Sequence, residues 1–197
     1  FILPPGEETD ARRAHHSFRH NAGDFMSYVL IFKRFTEAKN QEAFCSKSYL
    51  DYRVMSEIAN IKIQLEQIVS DLGIPVSSGG SVEDYLTCIA SGMIQFICVR
   101  EGRENYRSLT TEHIQIHPGS SMFRTDPLYI VAGEIVRTTR MFAMSVSPLS
   151  GPILSRIDQN LESKLLGTKA RKPAQKEKQK NKPVVDDLTI YVGSERF

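Results

Sequence analysis

The chain has 197 residues, of which 41% are hydrophobic, and this is enough to bury a core in one ordinary domain or two small ones. Composition therefore excludes a wholly disordered protein. Eight of the 25 Lys and Arg residues lie between Lys164 and Lys182, so the rest of the chain carries 17 bases against 22 acids. That balance excludes a globally basic protein that coats nucleic acid, and any nucleic-acid surface on the folded body has to be a local patch.

No segment of the chain has the pattern of a membrane span or a signal peptide. No run approaches the ~18 to 20 uncharged apolar residues of a membrane helix, and the first residues have neither a basic start nor a long apolar stretch. We therefore expect a soluble, cytoplasmic protein with no membrane partner. The chain begins at Phe1 rather than Met, as a piece of a longer protein would.

The three cysteines, Cys45, Cys88 and Cys98, show no paired short spacing. This pattern favours small buried side chains in a reducing compartment over a disulfide framework or a zinc site.

Helical periodicity dominates the first part of the chain. Apolar residues at the 3,4 spacing predict a helix over Asp24–Phe35, and a second helical segment follows over Gln41–Tyr52. The clearest helix ends at Gly73 and Pro75, which are typical stop residues. One face of this helix carries Ile58, Ile61, Leu65, Ile68, Val69 and Leu72. Ser81 and Asp84 then predict the start of a helix that stops near Gly92.

From about Met93 the pattern changes to short strands. The predicted strands are Ile94–Val99, Tyr106–Leu109, Ile114–His117, Leu128–Thr138 and Phe142–Val146. Alternation places Ile114 and Ile116 on one face and Gln115 and His117 on the other. Several short strands close together predict a small antiparallel barrel.

These patterns predict an α+β protein with four parts. Residues 1–100 are helical, 101–160 form the barrel, 161–183 are a basic flexible linker or loop, and 184–197 hold a further strand. The Lys164–Lys182 segment is too poor in apolar residues to order itself, so we expect it to be mobile and sensitive to protease.

No residues in the chain match a nucleotide or metal site. Gly-rich loops occur, but none is followed by the Lys of a Walker-type phosphate loop, so we expect the isolated chain neither to bind nor to hydrolyse ATP and to carry no cofactor. His15, His16 and His20 could share one side of a helix. Without a cysteine or carboxylate to complete a ligand set, a packing or solvated role is favoured over metal binding.

Two further patterns bear on chemistry. His117 with Ser120 or Ser121 could form a nucleophile and base, but Gly-x-Ser-x-Gly is absent and no third residue orients the histidine, so a structural turn is favoured. The run from Val131 to Arg140 ends in hydroxyl and guanidinium groups, which suit contact with phosphates. An ordinary exposed turn explains that run equally well.

Several short motifs follow one another along the chain, at residues 23–26, 44–55, 64–65, 106, 116–121 and 134–140. Their order resembles the helicase-associated region and the following oligonucleotide-binding (OB) fold of DEAH-box helicases, in their bacterial form. Two of the departures are Phe44, where the family commonly has Trp, and Gly119, which is inserted after Pro118.

The resemblance implies a ratchet-like helical bundle followed by an OB-like barrel. ATP and Mg²⁺ would belong to motor domains absent from this chain, and the chain would bind single-stranded RNA or DNA beside them, with RNA favoured on family grounds. The residues implied in nucleic-acid binding are Arg53, His117, Ser120, Ser121, Arg137, Thr138, Thr139 and Arg140. On this basis Arg53 and the barrel residues share one groove. The competing expectation is that Arg53 pairs with Asp51 or Glu57.

Three functions remain open at this point. The leading one is a single-strand-binding accessory region of an ATP-dependent helicase, with the motor domains of the same parent protein as partners. The alternative is a protein-interaction module that docks an activator protein or partner subunits. An independent hydrolase using His117 and a neighbouring serine is the third.

Overall fold

The computed structural model describes residues 1–76 and 79–167, which fall into two compact units. The first unit runs from Phe1 to Gly79, and the second begins at Gly80. The predicted linker from residue 168 onward and the predicted last strand lie outside the described residues. None of the described helices is long and apolar enough to cross a membrane.

The first unit is helical, as predicted. Its helices are α1 (Glu8–His16), α2 (Asp24–Glu37), α3 (Gln41–Lys47) and α4 (Tyr52–Asp71). Helix α3 is shorter than predicted because the chain turns at Tyr49, whose φ of 53° is left-handed. The Asp51 side chain then accepts hydrogen bonds from two backbone N–H groups and starts α4 as a separate helix.

The core of the first unit is built from α2, α3 and the start of α4. Its buried members are Phe18, Ile31, Phe35, Cys45, Leu50 and Met55. Phe44, which stands where the resembled family commonly has Trp, packs against this cluster, and its ring centre lies 6.2 Å from that of Phe18.

Two of the three cysteines are buried, as predicted: Cys45 and Cys98. The prediction was wrong for Cys88, which is exposed.

The apolar face of α4 is exposed along its length. Six apolar residues, five in α4 and one directly after it, are spaced alternately by four and three and are 43% to 69% exposed: Val54, Ile58, Ile61, Leu65, Ile68 and Leu72. The periodicity thus predicted a single apolar face correctly. It could not show that only Met55 and Ala59, in the first half of the helix, reach the core.

The second unit begins with a helix rather than with the sheet. Helix α5 (Val82–Gly92) starts with the capping box of Ser81 and Asp84, and a 3₁₀ turn (Ile94–Phe96) leads into the sheet. After the sheet come α6 (Gly151–Ile157) and α7 (Leu161–Leu166). Helix α5 packs on α6, and Arg156 of α6 donates to Asp84 at 2.8 Å. This hydrogen bond and those from Ser81 lower the pKa of Asp84 to about 2.

Two predicted boundaries are corrected by these helices. Helix α5 was placed in a domain ending at residue 100, whereas its contacts with α6 put it in the unit that starts at Gly80. Residues 161–166 were placed in a flexible linker, whereas they form α7. The reason is burial, since Leu161 and Leu165 are 2% and 0% exposed.

The sheet of the second unit has seven described strands in the order β5-β6-β3-β2-β1-β4-β7. They are β1 (Ile97–Arg100), β2 (Tyr106–Arg107), β3 (Ile114–Ile116), β4 (Tyr129–Val131), β5 (Glu134–Arg137), β6 (Met141–Met144) and β7 (Ser147–Leu149). The antiparallel prediction is corrected to a mixed sheet, because β3 and β6 pair in parallel. The run predicted as one strand over residues 128–138 divides into β4 and β5 at Gly133, whose N–H faces the Met144 and Ser145 carbonyls.

One face of this sheet holds the core of the second unit. Ile114 and Ile116 are buried together, as their alternation predicted. The other buried members are Cys98, Tyr106, Met122, Ile130, Ala132, Ala143 and Val146. The short strands β3 and β6 are therefore fixed on one side, and their polar residues are left on the other.

Candidate nucleic-acid interface

The hairpin between β5 and β6 brings two arginines to one end of the sheet. Arg137 pairs across the hairpin with Met141, and the Thr138 N–H donates to the Arg140 carbonyl at 2.8 Å. Residues 137 to 140 are all exposed. The tight turn thus presents two guanidinium groups and the Thr138 and Thr139 hydroxyls within four residues.

Arg140 is tied to the middle of the sheet by side-chain hydrogen bonds. Its Nη1 donates to Gln115 Oε1 at 3.2 Å, and Gln115 Nε2 donates to Asn105 Oδ1 at 3.4 Å. These bonds connect the hairpin to β3 and to the loop before β2. The Arg140 guanidinium is therefore oriented while its other N–H groups stay available.

Two surface concavities meet at Arg140 and Gln115. The hairpin pocket has a volume of about 620 Å³ and is lined by Asn105, Thr111, Glu112, His113, Gln115 and residues 137–141. The aromatic pocket has a volume of about 220 Å³ and is lined by Glu104, Tyr106, Gln115, Ile116, Pro118, Phe123, Arg124, Asp126, Arg140 and Phe142. Acids border both pockets, so any positive potential here comes from the arginines at the rim rather than from a broad basic face.

The loops around these pockets hold backbone conformations that L residues seldom adopt. Glu104, His113, Arg124 and Asp126 all have φ between 47° and 64°. Such residues cost about 1 to 3 kcal/mol each when strained and tend to gather at binding sites. Here the left-handed conformation of Arg124 places its guanidinium 5.1 Å from the centre of the Phe123 ring.

The turn after β3 is built by His117 and Ser120. The Gly119 N–H donates to His117 Nδ1 at 3.0 Å, and a Cβ at Gly119 would meet the same nitrogen at 3.0 Å, so the inserted glycine fits closely. Ser120 is 5% exposed, and its hydroxyl accepts from the Met122 N–H at 3.1 Å. These bonds agree with the structural-turn interpretation and disfavour a serine nucleophile activated by His117.

The side chains of the turn after β3 differ in how far they are exposed to a nucleic acid. The predicted contact through the Ser120 hydroxyl stays a prediction, and that side chain is buried in the turn. Ser121 is half-buried, and the half-buried His117 ring packs edge-on against Phe142 at 5.5 Å. His117 therefore supports the aromatic pocket from behind.

Arg53 lies in the first unit, in the first turn of α4. Its backbone N–H donates to Asp51 Oδ1 at 2.9 Å, while its side chain is exposed. Within residues 1–76 and 79–167, no ion pair joins Arg53 to Asp51 or Glu57. That Arg53 and the hairpin share a groove stays a prediction.

The histidines near the N-terminus have packing roles where the structure shows their partners. His15 Nε2 lies 3.0 Å from the Tyr49 carbonyl, and burial lowers its pKa. His20 Nδ1 accepts from the Ala22 N–H at 3.0 Å. In the described part of the chain, no group of His, Cys, Asp or Glu is placed to hold a metal ion.

Four pocket residues were missed from the sequence: Gln115, Phe123, Arg124 and Phe142. Alternation had placed Gln115 on the outward face of its strand, which was a usable signal. Phe142 was predicted on a strand, but its approach to His117 depends on the parallel pairing of β3 and β6. No pattern in the sequence marks Phe123 and Arg124, which lie in a loop.

Comparison with known proteins supplies the family. Residues 86–160 match the family model of the oligonucleotide/oligosaccharide-binding (OB) fold. The chain is 40% identical over 166 residues to an ATP-dependent RNA helicase HrpA of Borreliella burgdorferi, covering 83% of this chain and 20% of that protein. It is 27% identical over 163 residues to HrpA of Escherichia coli, covering 79% and 12%. Identity to the human probable ATP-dependent RNA helicase DHX35 is 24% over 152 residues, covering 76% and 22%.

The chain thus spans about a fifth or less of the length of these three relatives. Matches of this extent establish that the chain belongs to the DEAH-box RNA helicase family and is homologous to its C-terminal OB-fold region.

Proposed function

We propose that this chain is an accessory region of a DEAH-box helicase that holds the backbone of single-stranded RNA. The observation that carries the proposal is the β5–β6 turn, where Arg137 and Arg140 are exposed beside two threonine hydroxyls. Guanidinium groups bind phosphate oxygens with two parallel hydrogen bonds, and hydroxyls can add a further one. None of these groups reads a base, so the grip is independent of sequence.

The proposed division of labour leaves ATP hydrolysis to other domains. The motor domains of the parent protein would bind ATP and Mg²⁺ and would be the neighbours of this chain. The chain itself would contribute affinity for the strand. Because acids such as Glu112 border the hairpin pocket, we expect weak binding that depends on a few phosphate contacts rather than on a wide basic surface.

Salt dependence tests this proposal. A fluorescein-labelled oligoadenylate of ten nucleotides should bind the chain in an anisotropy titration, and affinity should fall about 7-fold between about 50 and 200 mM salt if two phosphates are contacted. The same titration with oligouridylate should give a similar slope, since the contacts are to the backbone. Absence of binding at the lower salt concentration would reject the proposal.

A second candidate function, docking of a protein helix, is favoured by the exposed face of α4. Its six apolar residues follow the alternating four and three spacing of a coiled-coil seam along a helix of 20 residues, about 30 Å long. We propose that its occupant is a helix from the part of the parent protein outside this chain. The chain matches only 20% of the length of the Borreliella relative, so a parent protein of similar length would have ample chain to supply one.

This candidate is tested in two protein contexts. Replacing both Ile61 and Leu65 by Gln should leave the melting temperature of the isolated chain unchanged, because both side chains are already exposed. The same pair of substitutions should lower the melting temperature of the full-length parent protein, where the face would be covered. Equal melting temperatures of wild type and variant in both contexts would exclude an intramolecular helix on this face.

A further inference from the structure

The aromatic pocket of the second unit is lined by aromatic and apolar side chains and by several polar ones. Phe123 is 37% exposed, and Phe142 is half-buried near the start of β6, just after the hairpin turn. Tyr106 also lines the pocket; it is fully buried, and its hydroxyl donates to the Pro127 carbonyl at 2.8 Å. These contacts fix the walls before any ligand arrives.

The size and chemistry of the pocket restrict its ligand. About 220 Å³ is less than the roughly 300 to 1,000 Å³ of pockets for drug-sized molecules, so the pocket suits one small ring system. Aromatic rings and the planar Arg124 guanidinium are surfaces on which flat rings stack. The Gln115 amide and the Glu104 and Asp126 carboxylates at the rim can meet the polar edge of such a ring.

The position of the pocket connects it to the phosphate-binding hairpin. Arg140 and Gln115 line both concavities, and Gln115 accepts a hydrogen bond from Arg140. A phosphate held at Arg140 therefore lies at the mouth of the aromatic pocket. Along a single strand, bases project from the backbone beside each phosphate, so the base next to a phosphate at Arg140 is the group best placed to enter.

We propose that the aromatic pocket seats one nucleobase of the strand whose phosphates lie on the β5–β6 turn. The inference rests on the proposed function and adds to it a base-stacking site that the hairpin alone does not provide. Stacking of this kind tolerates any base, since each has an aromatic face. The Arg124 guanidinium, already stacked on Phe123, supplies a second flat surface to the site.

Phe123→Ala separates base binding from backbone binding. The probes are oligoadenylate and an abasic ribose-phosphate strand of the same length. The substitution should weaken oligoadenylate binding about 5- to 100-fold and leave binding of the abasic strand unchanged. Phe1→Ala, which removes a phenylalanine that is 61% exposed in the other unit, is the matched control and should change neither affinity.

Phe123→Trp provides a direct readout, because the chain contains no Trp. This variant should keep the affinity of wild type for oligoadenylate, and its fluorescence should be quenched by oligoadenylate but not by the abasic strand. A thermal melt of both variants checks that each folds. Since the tryptophan variant retains an aromatic ring, it stays informative if the alanine variant is unstable.

Each outcome bears on one proposal. Equal weakening of both probes by Phe123→Ala, or no quenching in the Trp variant, would overturn the base site and leave the phosphate contacts standing. If wild type binds the abasic strand as tightly as oligoadenylate, the base site is also overturned, and the pocket is open to an apolar side chain of a protein. If wild type binds neither probe, the proposed function itself fails.

Discussion

Replacing both Arg137 and Arg140 by alanine is expected to lower the affinity of the chain for single-stranded RNA by at least about 100-fold. Each well-formed hydrogen bond to a charged group contributes about 1.5 to 3 kcal/mol, and two such contacts would be lost. The slope of log affinity against log salt should become shallower by about 1.4, because two phosphates would no longer release counterions. Anisotropy titrations at several salt concentrations measure both quantities.

Two further variants show whether the effect is local. Arg12→Ala with Arg13→Ala removes the same charge from exposed positions of α1 and should change affinity little. Glu112→Gln removes an acid that lines the hairpin pocket and should raise affinity. Equal losses in the two double arginine variants would mean that only net charge matters, and the hairpin would lose its assigned role. Melting temperatures should stay close to that of wild type, since residues 137 and 140 are exposed.

Local signals predicted most of the helices. The capping box of Ser81 and Asp84 and the side chain of Asp51 each act within one helical turn, so their effect can be anticipated from neighbouring residues. The end of α3 was misplaced because it depends on a left-handed Tyr49, a residue type that rarely adopts this conformation. The place of α5 in the second unit depends on α6, which lies about 60 residues further along the chain.

Strand positions were predictable, whereas strand partners were not. The alternation of Ile114 and Ile116 predicted their common burial because a strand turns successive side chains to opposite faces. The parallel pairing of β3 with β6 joins segments separated by several other elements, and no local pattern encodes it. Short antiparallel neighbours were the general expectation, and this pair departs from it.

Some residues of the candidate site could be predicted from the sequence, and others could not. Residues 137 to 140 are brought together by one tight turn, so their sequence alone suggested a phosphate-binding edge. The burial of Ser120 could not be anticipated, because it depends on how the turn after β3 packs. Phe123, Arg124 and Phe142 meet only after the sheet has formed, which explains why the aromatic pocket was found from the structure.

Tyr106 connects the core of the second unit to this pocket, and its loss should have the largest effect on stability. The ring is fully buried among Cys98, Ile114 and Ile130, so Tyr106→Ala should lower the free energy of unfolding by about 3 to 5 kcal/mol. Tyr106→Phe keeps the ring and removes only the hydrogen bond to the Pro127 carbonyl, which should cost about 1 to 2 kcal/mol. Urea denaturation of the three proteins, with equal m values, measures these differences.

The two variants should also separate stability from binding. Tyr106→Phe retains the floor of the aromatic pocket and should bind oligoadenylate like wild type, whereas Tyr106→Ala should bind more weakly even where it is folded.

A pH series measures the contribution of the Tyr106 hydroxyl to stability. Burial, followed by the nearby Asp126 carboxylate, raises the pKa of Tyr106 above its ordinary value of 10.0.

A raised pKa in the folded state means that the protonated hydroxyl stabilises the fold fully below pH 10, and that this contribution is lost as the pH rises further. The stability advantage of wild type over Tyr106→Phe should therefore be constant from pH 7 to about 9 and shrink at higher pH. Tyr129, whose pKa is raised as well, is present in both proteins and cancels from the difference. An advantage that persists unchanged well above pH 10 would mean that the pKa of Tyr106 is the same in the folded and unfolded states, and that burial does not raise it.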